Sequence, residues 1–404
     1  MFCNMNQIPK MNLLFAFLML LTLWNCSEDE GSTPDPDPEP EPEVVDFQFG
    51  ADLSYVNQIL DQGGIFQVEG QETNPYEIFA DKGNQIVRLR LWHTPTWTQE
   101  VYGEDGTQMY NDLADVERAI VASKAAGMQV LLDFHYSDTW ADPEKQYVPE
   151  AWADITDIAV LEDSVYNYTH KTLTYLNDKG LMPEYVQLGN ETNCGMMYSD
   201  AKAAFPNCNV CNDSWTNFRA VINKGILAVN DVEANATVDT QVILHVADPK
   251  NVDWWFDNLG LSGYDIIGFS YYPLWHTTIG LSQLEETVAG FKAKYRKDVM
   301  ILETAYPWTT EGADGYNNLF GGEEALSGYP YTPTGQSDLL QSITQSMINA
   351  GGMGVIYWEP AWISSEMKDL WGTGSAWENN AFFDYDGNAN AGFDYMTATY
   401  EGQE

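Results

Sequence analysis

Positive charge is scarce in this chain. It carries 18 Lys and Arg against 60 Asp and Glu, a formal net charge of −42. Nucleic acid is bound through positive patches, so this balance argues against a nucleic-acid partner. A polyanionic polymer is disfavoured in the same way, whereas a neutral one is not penalised. Cysteine is also sparse, at five. Cys194, Cys208 and Cys211 fall within one segment, and an odd number allows one disulfide and one free thiol. We expect Cys194 to pair with Cys208 or Cys211. Zinc would need a fourth ligand near Cys208-x-x-Cys211, and no His follows at the usual spacing. The apolar stretch at residues 13–24 is too short to span a bilayer.

That stretch, preceded by Lys10, reads as an export signal over residues 1–26. It ends Leu23-Trp24-Asn25-Cys26 and resembles a bacterial lipobox, in which the cysteine takes the lipid; Trp24 and Asn25 depart from the commoner small residues. Ser27-Glu28-Asp29-Glu30 resembles the acidic tag that sends Bacteroidetes lipoproteins to the outer face of the outer membrane. Residues 27–45 form a linker in which proline alternates with acid. Proline favours extended polyproline II and the charges repel, so this is a stiff spacer of ~3 Å per residue. Cys26 is the expected lipidation site, and the protein is expected at the cell surface as a monomer.

Residues 46–404 carry the folded part. Apolar runs of strand length recur at residues 47–55, 86–92, 128–136, 185–191, 242–246, 266–272, 299–304 and 355–359. Helical periodicity appears between them, at 112–126, 215–229, 282–295 and 337–350. Strand alternating with helix, eight times and with no long antiparallel run, predicts a closed (β/α)8 TIM barrel as one catalytic domain. The composition is 13% aromatic with 14 Trp. Aromatic faces stack on the apolar faces of sugar rings, so an acidic, exported, Trp-rich chain points towards carbohydrate.

Two of the strands stop at a glutamate: Tyr185-Val186-Gln187-Leu188-Gly189-Asn190-Glu191 and Val299-Met300-Ile301-Leu302-Glu303. At roughly 25–35 residues per strand-and-helix unit, three units separate them. That places Glu191 on strand four and Glu303 on strand seven, facing each other across the barrel mouth. Other strand ends are polar or aromatic as well: Asp52-Leu53-Ser54-Tyr55, Arg88-Leu89-Arg90-Leu91-Trp92-His93, Ser270-Tyr271-Tyr272-Pro273 and Tyr357-Trp358-Glu359-Pro360. Polar groups at the C-terminal ends of barrel strands face the active site. A single one could be a satisfied core group; His135 alone would be structural about as often as functional. The coincidence across strands carries the reading.

With these pieces the chain resembles glycoside hydrolase family 53, the endo-β-1,4-galactanases. The most specific is Asp133-Phe134-His135-Tyr136-Ser137-Asp138-Thr139-Trp140-Ala141-Asp142-Pro143; Gln187-Leu188-Gly189-Asn190-Glu191 and Leu302-Glu303-Thr304-Ala305-Tyr306-Pro307-Trp308 accompany it. The resemblance implies a retaining enzyme cutting within neutral β-1,4-galactan, the side chain of type I arabinogalactan. It implies Glu191 as acid/base and Glu303 as nucleophile. Asn190 would bond the sugar 2-hydroxyl, and Arg90 would hold the nucleophile ionised. His135, Tyr271 (or its neighbour Tyr272) and Trp358 would line the subsite of the cleaved sugar. Trp92, Asp138, Trp140 and Trp377 are further candidates for sugar contact. No cofactor is implied for the chemistry. Some members of the family bind calcium near the last two loops, so Asp314-Gly315-Tyr316-Asn317-Asn318 and Asp384-Tyr385-Asp386-Gly387-Asn388 are candidates to hold a structural calcium.

The chemistry stands apart from the resemblance. Cleaving an acetal needs a proton on the leaving oxygen and stabilisation of an oxocarbenium-like carbon, which two carboxyls can supply. Two rivals share these residues. One is another barrel endoglycanase, such as a mannanase, differing in its loops. The other is a glycan-binding surface lipoprotein with a dead barrel, which intact Glu191 and Glu303 disfavour.

Overall fold

Eight short parallel strands pair side by side until the last closes on the first. They are β1 Gln48–Asp52, β2 Ile86–Leu91, β3 Gln129–Phe134, β4 Tyr185–Leu188, β5 Gln241–Ala247, β6 Ile266–Ser270, β7 Asp298–Glu303 and β8 Gly354–Tyr357. β1 pairs with β8 on one side and with β2 on the other, so the sheet is a closed barrel. The computed structural model describes residues 46–403. All eight strands fall within or beside the segments predicted from the sequence. The signal, the linker and Cys26 lie outside the described residues.

Every residue of β2 is buried. A barrel strand has helices on one face and the interior on the other, so both faces leave water. Among the described residues, the longer helices between the strands are α1 Pro75–Asp81, α2 Leu113–Ala125, α3 Ile158–Asp178, α4 Trp215–Glu233, α5 Val252–Leu259, α6 Leu281–Tyr295 and α7 Pro333–Asn349. Their starts are set by side chains that accept the first free N–H groups: Asp112 for α2, Asp157 for α3 and Thr332 for α7. Thr332 followed by Pro333 is a helix-start signal, and it begins α7 ahead of the predicted position. After β8 the 3-10 segment Ala391–Thr397 packs on α7 in place of an eighth helix.

The barrel interior is layered. Its lower part is apolar, from Ile86, Leu131, Tyr185, Ile243, Ile266 and Met300 among others. Side chains alternate along a strand, so the next inward position on each strand lies nearer the C-terminal rim. On β2 to β5 that position is polar, held by Arg88, Asp133, Gln187 and His245, and on β6 the polar residue is Ser270, one inward position further along. All five are fully buried. On β6 the inward position between Ile266 and Ser270 is Gly268, where a Cβ would come within 2.2 Å of Leu302 Cδ1. The sequence thus spends its apolar residues on the floor and its charges at the mouth.

Candidate active site

Glu191 follows β4 by way of Gly189 and Asn190. Gly189 has φ +81°, and a Cβ there would meet Thr192 and Met196 at 2.6 and 2.9 Å. Glu191 itself has φ +46°, a left-handed conformation that is uncommon away from glycine. Glu303 is the last residue of β7. One carboxylate oxygen of each, together with a ring nitrogen of His245, lies within 4.8 Å of the others. Two carboxyls across a barrel mouth at this separation leave no space for a water between sugar and carboxylate, which an inverting pair at ~6.5–9.5 Å provides.

Arg88 organises the mouth. Its Nη1 donates to Glu303 Oε1 at 2.8 Å and to Asp52 Oδ2 at 3.0 Å. Its Nη2 donates to Asp133 Oδ2 at 2.8 Å and to Asn190 Oδ1 at 2.7 Å, and its Nε to Gln187 Oε1 at 3.1 Å. The arginine that holds Glu303 is therefore Arg88, which corrects the expectation for Arg90. Arg90 sits one inward step higher and donates to Glu359 Oε1 at 2.7 Å. Its guanidinium lies 4.1 Å from the ring centroid of Tyr55 and 4.2 Å from that of Trp140. Both arginines face inward by alternation, and only height along the barrel separates their roles. Burial pushes Glu359 up to about 8 against the pull of Arg90.

The two glutamates differ electrostatically. Burial raises both. Glu191 is raised further by the charge of Glu303. Glu303 is drawn back down by the positive charge of Arg88 and by the hydroxyl of Tyr272, which donates to its Oε2 at 2.9 Å. Glu303 is thus the first of the pair to ionise and Glu191 the one that keeps its proton. Tyr271, expected at this position, points the other way and donates to the carbonyl of Ile279. Alternation from inward Ser270 to inward Tyr272 was the available signal.

The remaining expected residues divide into three groups. Asn190, His135, Trp140, Trp358 and Trp377 line an open cleft of about 810 Å³ together with Glu191 and Glu303. Trp358 and Trp377 meet edge to face at 4.8 Å, and Trp377 Nε1 donates to the carbonyl of Trp358. Trp92 lies behind this lining; it is buried and donates to His135 Nδ1 at 3.1 Å, while His135 Nε2 meets Asp133 at 3.0 Å. Asp138 also lies away from the cleft. Its two oxygens accept from the backbone N–H groups of Thr94 and Glu150, each at 2.8 Å, and so staple two loops. The sequence reading missed Arg88, Ser270 and His245 as site residues and offered Tyr272 only as the alternative to Tyr271.

Behind Glu191 the chain is tied by a disulfide between Cys194 and Cys211, 17 residues apart. Among the described residues Cys208 is the free thiol; it is buried, and burial pushes it up to about 12. The two acidic segments expected to hold calcium hydrogen-bond to nearby backbone. Asp314 spends its oxygens on the N–H groups of Tyr316 and Ser375, and Asp384 Oδ1 accepts from Asp386 and Asn388. Among the described residues, Asn318 Oδ1 is the one buried oxygen of these segments left without a partner.

Known proteins match this arrangement along most of the chain. Residues 48–396 match the model of glycosyl hydrolase family 53. An arabinogalactan endo-β-1,4-galactanase of Cellvibrio japonicus is 43% identical over 88% of this chain and 92% of its own. An endo-β-1,4-galactanase of Bacillus subtilis is 33% identical over 84% and 78%. Among solved structures, the family 53 catalytic domain of Ignisphaera aggregans superposes with a TM-score of 0.77 at 33% identity, covering 90% of this chain and 99% of that one. A structure of fungal β-1,4-galactanases gives 0.71 at 25% identity, covering 88% and 100%. The barrel, the facing glutamates and these likenesses agree: the chain belongs to glycosyl hydrolase family 53.

Proposed function

We propose that this protein hydrolyses internal β-1,4-galactosidic linkages of type I galactan with retention of configuration. The observation that carries the reading is the facing pair Glu191 and Glu303, in a chain 43% identical to an arabinogalactan endo-β-1,4-galactanase. Glu303, ionised by Arg88 and Tyr272, attacks the anomeric carbon while Glu191 protonates the departing oxygen. The covalent galactosyl-enzyme is then opened by water, from which Glu191 takes a proton. Asn190 Nδ2 donates to the carbonyl of Ala141 at 2.8 Å and has a second hydrogen free for the sugar 2-hydroxyl. His135, Trp140, Trp358 and Trp377 present ring edges and faces to the polymer. The net charge of −42 is compatible with a neutral chain and opposes an acidic one.

The same reading places the protein on the outer membrane through a lipid on Cys26. The lipobox-like run, the acidic tag and the proline-rich spacer support this location. A time course on linear galactan tests the activity: a ladder of soluble oligosaccharides should appear before monosaccharide, with the first products in the β-configuration. Release from mannan and none from galactan would assign the site to another polymer.

A further inference from the structure

A guanidinium donates hydrogen bonds and cannot accept them. That fixed polarity runs outward from Arg88 through four buried groups. Arg88 Nη2 donates to Asn190 Oδ1 at 2.7 Å, and Asn190 Nδ2 donates to the carbonyl of Ala141 at 2.8 Å. The Asn190 amide is therefore oriented, and its oxygen lies 2.8 Å from His245 Nδ1. Two acceptors do not share that distance, so Nδ1 carries a hydrogen. His245 is fully buried, and burial and the charge of Arg88 both lower it, so the ring is neutral and Nε2 is bare. Ser270 Oγ lies 2.9 Å from Nε2 and must give its one hydrogen there. Its 2.5 Å contact with Glu191 Oε1 is then made by an oxygen lone pair. The hydrogen in that contact belongs to Glu191.

Two longer contacts would suit the opposite tautomer. Gln187 Nε2 and the backbone N–H of Glu191 lie 3.1 and 3.3 Å from Nδ1. The Gln187 amide already donates to the Gly189 carbonyl and to Asn190 Oδ1, both at 3.0 Å. The shorter contact to Asn190 decides.

We propose that Ser270 and His245 are positioning residues that keep the proton on Glu191 in the resting enzyme, through hydrogen bonds whose direction is set by Arg88. The proposal rests on Glu191 being the acid/base. In the first step the proton moves from Glu191 to the departing oxygen as the C–O bond breaks. The Ser270 hydroxyl is then free to turn to the new carboxylate. In the second step Glu191 takes a proton from water, and the hydroxyl returns to Nε2, so the chain is restored with each turnover. The charged and titratable groups facing Glu191 are Glu303 on β7, Asp142 after β3, Arg88 on β2, His245 on β5 and Tyr272 after β6. Glu303 and Asp142 favour the protonated form and Arg88 opposes it; a hydrogen given by Ser270 to the carboxylate would oppose it too, whereas the same bond accepted from Glu191 holds the proton. His245 is faced by Arg88 and by His135.

The sign of one shift tests this. Ser270→Ala removes the acceptor of the Glu191 proton, so the alkaline limb of kcat/KM on linear galactan should move down by about one pH unit. Ser270→Thr keeps the hydroxyl and should keep the limb. A limb that moves up would mean that Ser270 gives its hydrogen to the carboxylate, and an unmoved limb that the contact does not hold the proton; either overturns the proposal. Nitrogen NMR of the histidine-labelled wild-type protein reads the chain without using activity or any variant. Neutral His245 with its hydrogen on Nδ1 is expected, and the Nε2–H form or an imidazolium would overturn it. If Glu191→Ala kept near-normal turnover, the acid assignment would fail whatever the NMR result.

Discussion

Glu191 and Glu303 carry the same functional group, and their neighbours divide the work between them. Glu303 faces a guanidinium and a phenol, both donating. Glu191 faces Glu303 and the Ser270 hydroxyl. The division predicts opposite stereochemistry on chemical rescue. Glu191→Ala should lose on the order of 10²–10⁴-fold on galactan, where the leaving group needs a proton. With an activated leaving group it should still form the galactosyl-enzyme, and added azide should open it to the β-galactosyl azide. Glu303→Ala has no nucleophile, so azide can enter only from the opposite face and give the α-azide. Product configuration by NMR checks both, and an exchanged pair of products would exchange the roles. Arg88 serves three buried carboxylates at once: Asp52, Asp133 and Glu303. Removing it would strand charges whose burial is tolerable only when paired, at about 3–5 kcal/mol in comparable cases.

At the scale of elements, strand alternation turns the site groups inward. The inward alternation of β2 delivers Arg88 and Arg90, that of β6 delivers Ser270, and Tyr272 follows in phase. The loop after β4 is longer than its neighbours need for a simple turn, and the disulfide between Cys194 and Cys211 shortens its freedom three residues beyond Glu191. Closing a loop of this length stabilises by about 3 kcal/mol in the chain-entropy account. Cys211→Ser should accordingly lower the midpoint of thermal unfolding by several degrees while leaving Cys208 buried. Thiol titration of the unfolded, unreduced protein should find one free thiol among Cys194, Cys208 and Cys211. Three would exclude the bond.

For the whole molecule, net charge bears on the polymer, and Cys26 bears on the proposed location. A net charge of −42 keeps the protein off polyanions while leaving a neutral galactan approachable. Cys26→Ala should release the protein from the membrane fraction without changing its turnover. A variant that stays in that fraction would end the lipid reading and leave the enzymology untouched.

The sequence by itself determined the barrel and the two glutamates. Both are local signals: apolar runs of strand length alternating with helical periodicity, and carboxylates at the ends of two such runs. The strand-three stretch that includes His135 and Trp140 was equally legible, because its residues lie together in the chain. What only the tertiary structure decided was which of several like residues reaches the centre. Arg88 and Arg90 share a face, and their heights depend on how the strands are staggered around the closed barrel. Tyr271 and Tyr272 differ by one step of alternation, and only Tyr272, in phase with Ser270, reaches Glu303. The choice between Cys208 and Cys211 turned on the path of a loop. His245 and Ser270 carried no signal beyond their place in a strand, since their role exists only where β4, β5 and β6 bring Asn190, His245, Ser270 and Glu191 within hydrogen-bond reach of one another.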